Sequence, residues 1–195
     1  MTGVTQRHLV LKLLQRLALV YLKPRLATWR YRRGQRTLNL TQYNQTKLQP
    51  TTELVTKKSQ LEEVEEELEV NETVESIIGS LLQALGDKDS VIRWSAAKGI
   101  GRISERLSAS HAEDIVEQIL QVMSLNPSET MLHGSCLCFA EMARRGLLPQ
   151  HQLDQIVSKV LECLVFDEKK GTISVGANVR DAAAYVCWAF SRLIL

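Results

Sequence analysis

The side chains that could form a metal site lie on one predicted helix. His133 lies three residues before Cys136, which would put both on one helix face, and Cys138 follows two residues later. Helical positions two residues apart point about 200° away from each other, so the three side chains cannot converge on one ion. The spacing therefore argues against a zinc site, and we expect no metal or other cofactor.

Sequence motifs of catalysis do not occur in the chain. Gly99-Ile100-Gly101 would lie inside a helix rather than after a strand, so it is not a phosphate-binding loop. Neither Gly-x-Ser-x-Gly nor His-Glu-x-x-His is present. Carboxylates are abundant, but no pattern places two of them across a cleft as an acid/base pair. We therefore expect a protein that is not an enzyme.

Basic residues are concentrated in the first part of the chain. Residues 1–52 contain ten Lys/Arg and no acidic residue, whereas residues 53–195 contain fourteen Lys/Arg and 22 Asp/Glu, a formal charge of −8. In residues 25–36, Trp29 and Tyr31 are interleaved with arginines, which could form a nucleic-acid patch. The arginines are Arg25, Arg30, Arg32, Arg33 and Arg36. A basic helix face that packs on protein is the favoured interpretation, so nucleic acid is not the expected partner.

An acidic stretch lies in the middle of the chain. Seven of the eleven residues in 62–72 are Glu. The stretch could be an acidic binding segment, but like charges repel one another and keep a chain extended. We therefore interpret it as a solvated linker.

The cysteines indicate a reducing compartment, and the apolar segments indicate a chain that does not span a membrane. The four cysteines, Cys136, Cys138, Cys163 and Cys187, lie within apolar helical patterns, as expected of buried free thiols. The most apolar stretch, residues 9–22, is interrupted by Lys12, Gln15 and Arg16, so it should not span a membrane.

The periodicity of apolar residues predicts an all-α chain. In residues 5–23 apolar residues recur at intervals of three and four, which predicts an amphipathic helix. Its apolar face would hold Val10, Leu13, Leu14, Leu17 and Tyr21. Pro24 interrupts this pattern and can begin a second short helix that ends near residue 33.

From residue 71 onwards, apolar helical stripes alternate with short turns, and Asn71 is the expected N-cap of the first helix. Three helices carry corresponding residue pairs separated by 40 and 47 residues: Ile92-Arg93, Leu132-His133 and Val179-Arg180. Helix pairs with such a period are typical of HEAT and armadillo repeats. The sequence therefore predicts an all-α, HEAT/armadillo-like solenoid of about three to four helix pairs, which works by holding other proteins.

These boundaries define the expected organisation of the chain. Basic N-terminal helices should occupy residues 1–36, and a polar and then acidic linker should occupy residues 37–70. Three HEAT-like helix pairs should follow over residues 71–195. We expect the pairs to span about 71–108, 111–146 and 150–195, with a long loop at 167–177 in the third.

Residues 87–103 match the HEAT pattern closely. In such repeats the aspartates of the turn and the arginine of the second helix usually interact between neighbouring repeats. We therefore interpret a set of charged residues as structural: Asp87, Asp89, Arg93, Arg180 and Asp181. The small residues Gly99 and Gly101 should let a neighbouring helix approach closely. Trp188 lies on an apolar helix face and is expected in the core.

Several longer segments resemble one family, the tubulin-folding cofactor D chaperones. The matching segments are residues 22–31, 87–102, 167–183 and 185–190, together with the Glu-rich interruption before the first clear repeat. Members of that family are several times longer, so we expect an internal fragment or a short form. A second difference is Leu132 before His133-Gly134, where the family typically has Trp.

The resemblance implies a role and a set of partners. Cofactor D proteins bind β-tubulin, help to assemble or take apart the αβ-tubulin dimer, and cooperate with cofactors E and C. The full assembly stimulates GTP hydrolysis by tubulin and is regulated by an Arf-like small GTPase. The resemblance also implies a cytoplasmic protein, associated with microtubules or centrosomes.

Candidate contact residues come from two places in the predicted solenoid. Lys88, Trp94 and Lys98 belong to the first repeat, and Lys169, Lys170 and Asn178 surround the long loop of the third. Long loops in solenoids often lie on the binding face. Two other functions stay open: a HEAT scaffold of the importin or adaptor type with an unrelated partner, and nucleic-acid binding through residues 25–36.

Overall fold

The computed structural model describes residues 3–24 and 71–194, and all of these except Pro24 belong to one compact unit. Seven α-helices and one short hairpin are present in these residues. In chain order they are α1 Val4–Tyr21, α2 Glu72–Ala84, α3 Ser90–Ser104, α4 Ala109–Leu125, α5 Glu129–Ala143, α6 Leu153–Leu164, β1 Glu168–Lys170, β2 Ile173–Val175 and α7 Ala177–Ile194. The predicted all-α solenoid is confirmed. The arginine-rich stretch 25–36 and the linker 37–70 lie outside the described residues.

Side-chain caps explain where three of the helices begin. Asn71 accepts a hydrogen bond from the backbone N of Thr73 (2.8 Å), which confirms the predicted N-cap of α2. Ser108 and Ser128 cap α4 and α5 in the same way. After α5, Gly146 adopts a positive φ of 68°, and the N–H of the next residue, Leu147, donates to the carbonyl of Met142. Glycine adopts this backbone conformation at low cost, so the chain can turn sharply there.

The helices form two layers. Helices α1, α3, α5 and α7 lie side by side, each packed on the next, and we call these four the main row. Helix α2 packs on α1 and α3, α4 packs on α3 and α5, and α6 packs on α7. Each helix therefore depends on its nearest neighbours, as in other repeat proteins.

Helix α5 is the centre of the core because it is covered on several sides. Every residue from Met131 to Ala143 is buried. Phe139 is among the largest fully buried side chains. The buried surface includes polar groups as well as apolar ones, and both His133 and Glu141 have partners there. A helix that is buried all round has little amphipathic periodicity, so its position can be recognised only from its neighbours.

Helix α1 buries a different face from the one that the apolar spacing predicts. The residues facing α3 are Leu11, Gln15 and Ala18, whereas four of the five predicted ones are exposed: Val10, Leu13, Leu17 and Tyr21. The prediction of the face was wrong because the buried face includes the polar Gln15, which the spacing of apolar residues cannot select. The Nε2 of Gln15 donates to the backbone O of Ser95 on α3 (2.8 Å).

The glycines of α3 provide the close approach that was predicted. A Cβ at Gly99 would lie 2.5 Å from the side chain of Gln15, and a Cβ at Gly101 would lie 3.1 Å from Nη1 of Arg145. Neighbouring helices on both sides of α3 therefore place long polar side chains directly on its backbone.

The segment predicted as a long loop contains a β-hairpin. Strand β1 pairs antiparallel with β2, and Lys170 lies opposite Ile173. Gly171 has a φ of 66° at the turn, a conformation that glycine adopts without strain. The hairpin within this loop was not predicted because three-residue strands are too short to give a periodic signal.

Charged residues at the turns connect α1, α3 and α5. Nη1 of Arg7 lies 2.7 Å from Asp87, and its Nη2 also pairs with Asp89. Arg93 is buried; its Nη1 donates to the carbonyl of Asp87 (2.7 Å) and its Nε donates to Nδ1 of His133 on α5 (2.8 Å). Asp87, Asp89 and Arg93, which were predicted to be structural, thus contact neighbouring elements.

The two corresponding residues of α7 have different surroundings. Arg180 donates to the carbonyl of Phe166 (2.7 Å) and lies 3.7 Å from Asp167, so it fastens the segment before the hairpin to α7. Asp181 is exposed. Its role as a structural residue stays a prediction.

Candidate protein-binding surface

Five side chains form a continuous surface group on the main row. The rings of Trp94 and Tyr185 have centroids 5.7 Å apart, and Tyr185 stacks on Trp188 at 5.6 Å. Nζ of Lys98 lies 5.2 Å from the Trp94 ring centre, and the guanidinium of Arg144 lies 6.0 Å from that of Trp188. We call this group the cation–aromatic cluster. Its members come from α3, α7 and the end of α5, so it spans three repeats.

Helix periodicity explains how the cluster is assembled. Trp94 and Lys98 are four residues apart on α3, and Tyr185 and Trp188 are three apart on α7, so each pair shares a helix face. Arg144 follows the last residue of α5, which lies between those helices in the main row. The rings of α3 and α7 therefore meet above α5.

A buried carboxylate holds the base of the cluster. Glu141 is 1% exposed, and its Oε2 accepts a hydrogen bond from Nη1 of Arg145 (2.7 Å). Its Oε1 accepts one from Nη1 of Arg144 (3.2 Å) and one from the hydroxyl of Tyr185 (3.3 Å). Nη1 of Arg144 also donates to Oη of Tyr185 (2.9 Å), and this hydrogen bond is the main cause that raises the pKa of Arg144. The cationic edge of the cluster is thus fixed and charged.

Trp188 contradicts the expectation that it lies in the core. The side chain is 46% exposed, with one ring face against Tyr185 and the guanidinium of Arg144 nearby. The apolar neighbours that suggested burial, Val186 and Ala189, point into the core instead. An aromatic residue at the edge of a helix's apolar face fits the apolar periodicity even when its ring packs on another surface ring instead of in the core.

This exposure leads to a prediction about stability. Trp188→Ala should lower the free energy of unfolding by about 1 kcal/mol, since a half-exposed ring removes far less apolar surface from water than a core ring. Urea unfolding followed by circular dichroism would measure the difference. A loss of about 3 kcal/mol or more would indicate instead that the Trp188 side chain is buried in the core.

The six predicted contact residues fall into two groups. Trp94 and Lys98 belong to the cation–aromatic cluster. Lys88 is exposed on the turn before α3, Lys169 on β1 and Asn178 at the start of α7. Among the described residues, none of the contacts that form the cluster involves these three. The backbone of Lys170 pairs with that of Ile173 in the hairpin. The contact role of all six residues stays a prediction.

Three members of the cluster, Tyr185, Trp188 and Arg144, were not predicted as contact residues. Their signals were an aromatic pair three residues apart, Tyr185 and Trp188, and an Arg-Arg pair directly after an apolar helix. Both signals become specific only once α3, α5 and α7 are known to be neighbours.

The possible metal ligands have other roles. Nδ1 of His133 accepts the hydrogen bond from Arg93, and burial together with that cation lowers the pKa of His133 to about 4. Burial raises the pKa of Cys138. Over residues 3–24 and 71–194, no group of three or more His, Cys, Asp or Glu could hold a metal ion. Cys187 is exposed, which corrects the expectation that all four thiols are buried.

Among the described residues, none of the helices has both the length and the apolar character needed to cross a membrane.

A family model described as tubulin-specific chaperone D-like, ARM repeats, matches residues 5–194. The chain belongs to this tubulin-specific chaperone D family. Its ARM-repeat description agrees with the stacked helix pairs, and the cation–aromatic cluster lies wholly within the matched region.

Two relatives of the tubulin-specific chaperone D family show how much of a whole protein the chain represents. The chain is 42% identical over 115 residues to the tubulin-specific chaperone D of Dictyostelium discoideum, which covers 56% of this chain and 8% of that protein. It is 34% identical over 136 residues to the tubulin-folding cofactor D of Schizosaccharomyces pombe, covering 63% of this chain and 12% of the relative. The chain thus spans about a tenth of the length of these relatives. No solved structure matches it.

Proposed function

We propose that this chain is part of a tubulin-folding cofactor and that the cation–aromatic cluster is a surface by which it holds tubulin. Family membership supports the role, and the cluster is the single observation that supports the surface. Trp, Tyr and Arg are the residue types most enriched in the energetically important centres of protein interfaces. Here three exposed or half-buried rings and two cations adjoin one another.

The proposed client is β-tubulin, and the proposed role is assembly or disassembly of the αβ-tubulin dimer. In the complete protein this role would include cooperation with cofactors E and C, stimulation of GTP hydrolysis by tubulin, and regulation by an Arf-like small GTPase. The proposed location is the cytoplasm, at microtubules or centrosomes. The basis for all of these is the family resemblance.

The physical basis of holding is a preordered surface. The rings are fixed by stacking on one another, and Arg144 is fixed by Glu141 and Tyr185. Ordering long side chains on association normally costs about 0.5–1.5 kcal/mol for each one. Because much of that ordering exists before binding, the cluster can contribute affinity without chemistry of its own.

We predict that Trp188→Ala combined with Lys98→Glu weakens αβ-tubulin binding at least about tenfold, as expected for truncation of an interface centre. Biolayer interferometry with immobilised chain would measure the affinity, and thermal unfolding would establish that the variant is folded. Both residues are exposed, so the fold should persist.

The matched control changes the same kinds of residue elsewhere. Leu161 is an exposed apolar residue of α6, and Lys12 is an exposed lysine of α1. The double variant Leu161→Ala, Lys12→Glu should bind tubulin like the unchanged chain. Equal weakening by both double variants, or unchanged binding by the first, would contradict the assignment of the surface. Binding of a different protein with no affinity for tubulin would favour a generic HEAT scaffold.

A further inference from the structure

We infer that the segment taken by the cation–aromatic cluster is an extended, acidic stretch of polypeptide with an apolar or aromatic side chain among its carboxylates. This inference rests on the proposed function, because it names the part of the client that this surface would hold.

The first observation is the separation of charge between the two layers. Helices α2, α4 and α6 contain seven acidic residues and one lysine. The helices α3, α5 and α7, counted with the two residues that follow α3 and α5, contain eight Lys/Arg and four Asp/Glu. An acidic partner is therefore attracted to the main row and repelled from the other layer.

The second observation is that the two cations lie against different tryptophans of the cluster. Lys98 adjoins Trp94, and Arg144 adjoins Trp188, with Tyr185 between the two tryptophans. A chain that crosses the rings could place one carboxylate near each cation. The rings between them offer apolar surface, which suits an apolar or aromatic side chain of the same segment.

The third observation concerns the state of Arg144. Its Nη1 makes the contacts with Glu141 and with Tyr185, while 43% of the side chain remains exposed. The nearby buried carboxylate of Glu141 also pairs with Arg145. Since guanidinium carries five N–H donors, Arg144 can keep its anchoring contacts and still donate to an incoming carboxylate.

A polypeptide fits these observations better than a nucleic acid. Aromatic rings with interleaved cations can also bind single-stranded nucleic acid. However, residues 3–24 and 71–194 together contain 16 Lys/Arg and 15 Asp/Glu, so they lack the large excess of positive charge that favours a polyphosphate. The favourable charge is local to the cluster, on the scale of a short peptide.

The test uses the full chain and a fluorescein-labelled peptide of alternating Glu and Tyr, with a Gln-and-Tyr peptide as the matched probe. Fluorescence anisotropy should show binding of the Glu peptide that weakens as salt rises, and at least tenfold weaker binding of the Gln peptide. The variant Lys98→Gln, Arg144→Gln should weaken Glu-peptide binding at least tenfold. The variant Lys98→Arg keeps the positive charge beside Trp94, leaves Arg144 unchanged and should retain most of the affinity.

The outcomes separate this inference from the proposed function. If the Glu peptide fails to bind, or fails to compete with tubulin while the tryptophan and lysine changes still weaken tubulin binding, the acidic segment is wrong and the tubulin surface stands. If tubulin does not bind but the Glu peptide does, with the expected variant effects, the proposed function fails and the peptide chemistry stands. Equal binding of an oligothymidylate would overturn the choice of polypeptide.

Discussion

Replacing Gly134 with Ala is expected to lower the free energy of unfolding by about 3 kcal/mol or more, at the upper end of what overpacking costs. A Cβ at Gly134 on α5 would lie 2.0 Å from the carbonyl O of Leu85 and 2.7 Å from its carbonyl C. These are backbone atoms at the end of α2, so no side-chain rotation can relieve the contact. The two helices would have to separate where they now meet. Urea unfolding followed by circular dichroism would measure the loss.

Gly79 provides the matched control for this change. It lies inside α2, is exposed, and a Cβ there would meet nothing within 4 Å. Gly79→Ala should therefore raise stability by about 0.5–1 kcal/mol, because Ala is the better helix former. If Gly134→Ala were as harmless as Gly79→Ala, the close packing of α5 on the end of α2 would be wrong.

Lowering the pH from about 7.5 to about 5 is expected to remove about 2 kcal/mol of stability through His133 alone. The folded protein holds the pKa of His133 at about 4, below its ordinary value of 6.5, because the ring is buried and lies against Arg93. Below pH 6.5 the unfolded chain therefore binds a proton that the folded chain does not. Stability is complete above that value and falls until the folded pKa is reached.

The variant His133→Asn isolates this contribution. Asn does not titrate, and its side-chain oxygen can still accept the hydrogen bond from Nε of Arg93. As the pH is lowered, the free energy of unfolding should fall less steeply for the variant. The difference between the two slopes is the contribution of His133 to the pH dependence. Parallel slopes for the two proteins would contradict a neutral, buried His133.

The sequence was sufficient to predict the class of fold because its turns and its helical stripes of apolar residues recur regularly. The N-cap Asn71, the spacing of Ile92-Arg93, Leu132-His133 and Val179-Arg180, and the glycines of α3 all have a local physical meaning. The cap and the apolar stripes depend on neighbours within one or two helical turns, and the repeat spacing is found by comparing one segment of the sequence with another. Such signals survive in a single sequence because no distant contact is needed to interpret them.

The faces of the helices were harder to predict, since they depend on which helices are neighbours. Helix α1 buries the polar Gln15 rather than its most apolar side, and only the docking of Gln15 on Gly99 and Ser95 shows which side is buried. Trp188 looked like a core residue because its own helix is apolar at the same period. It is on the surface because Tyr185 offers it a stacking partner at the edge of α7.

The candidate surface was predicted in part for the same reason. Trp94 and Lys98 share one helix and could be chosen together from sequence. Tyr185, Trp188 and Arg144 join them only because α3, α5 and α7 are consecutive members of the main row. A binding surface that crosses three repeats exists only in the folded stack.

Photocrosslinking to αβ-tubulin tests most directly whether the cation–aromatic cluster is the surface that holds tubulin. p-Benzoylphenylalanine would be incorporated in place of Val91, an exposed residue of α3 one turn before Trp94, and, in a second protein, in place of Gln118 on the exposed side of α4. Irradiation with αβ-tubulin should give a covalent adduct from position 91 and little from position 118. Adducts from position 118 alone would place tubulin on the other layer and contradict the proposed surface.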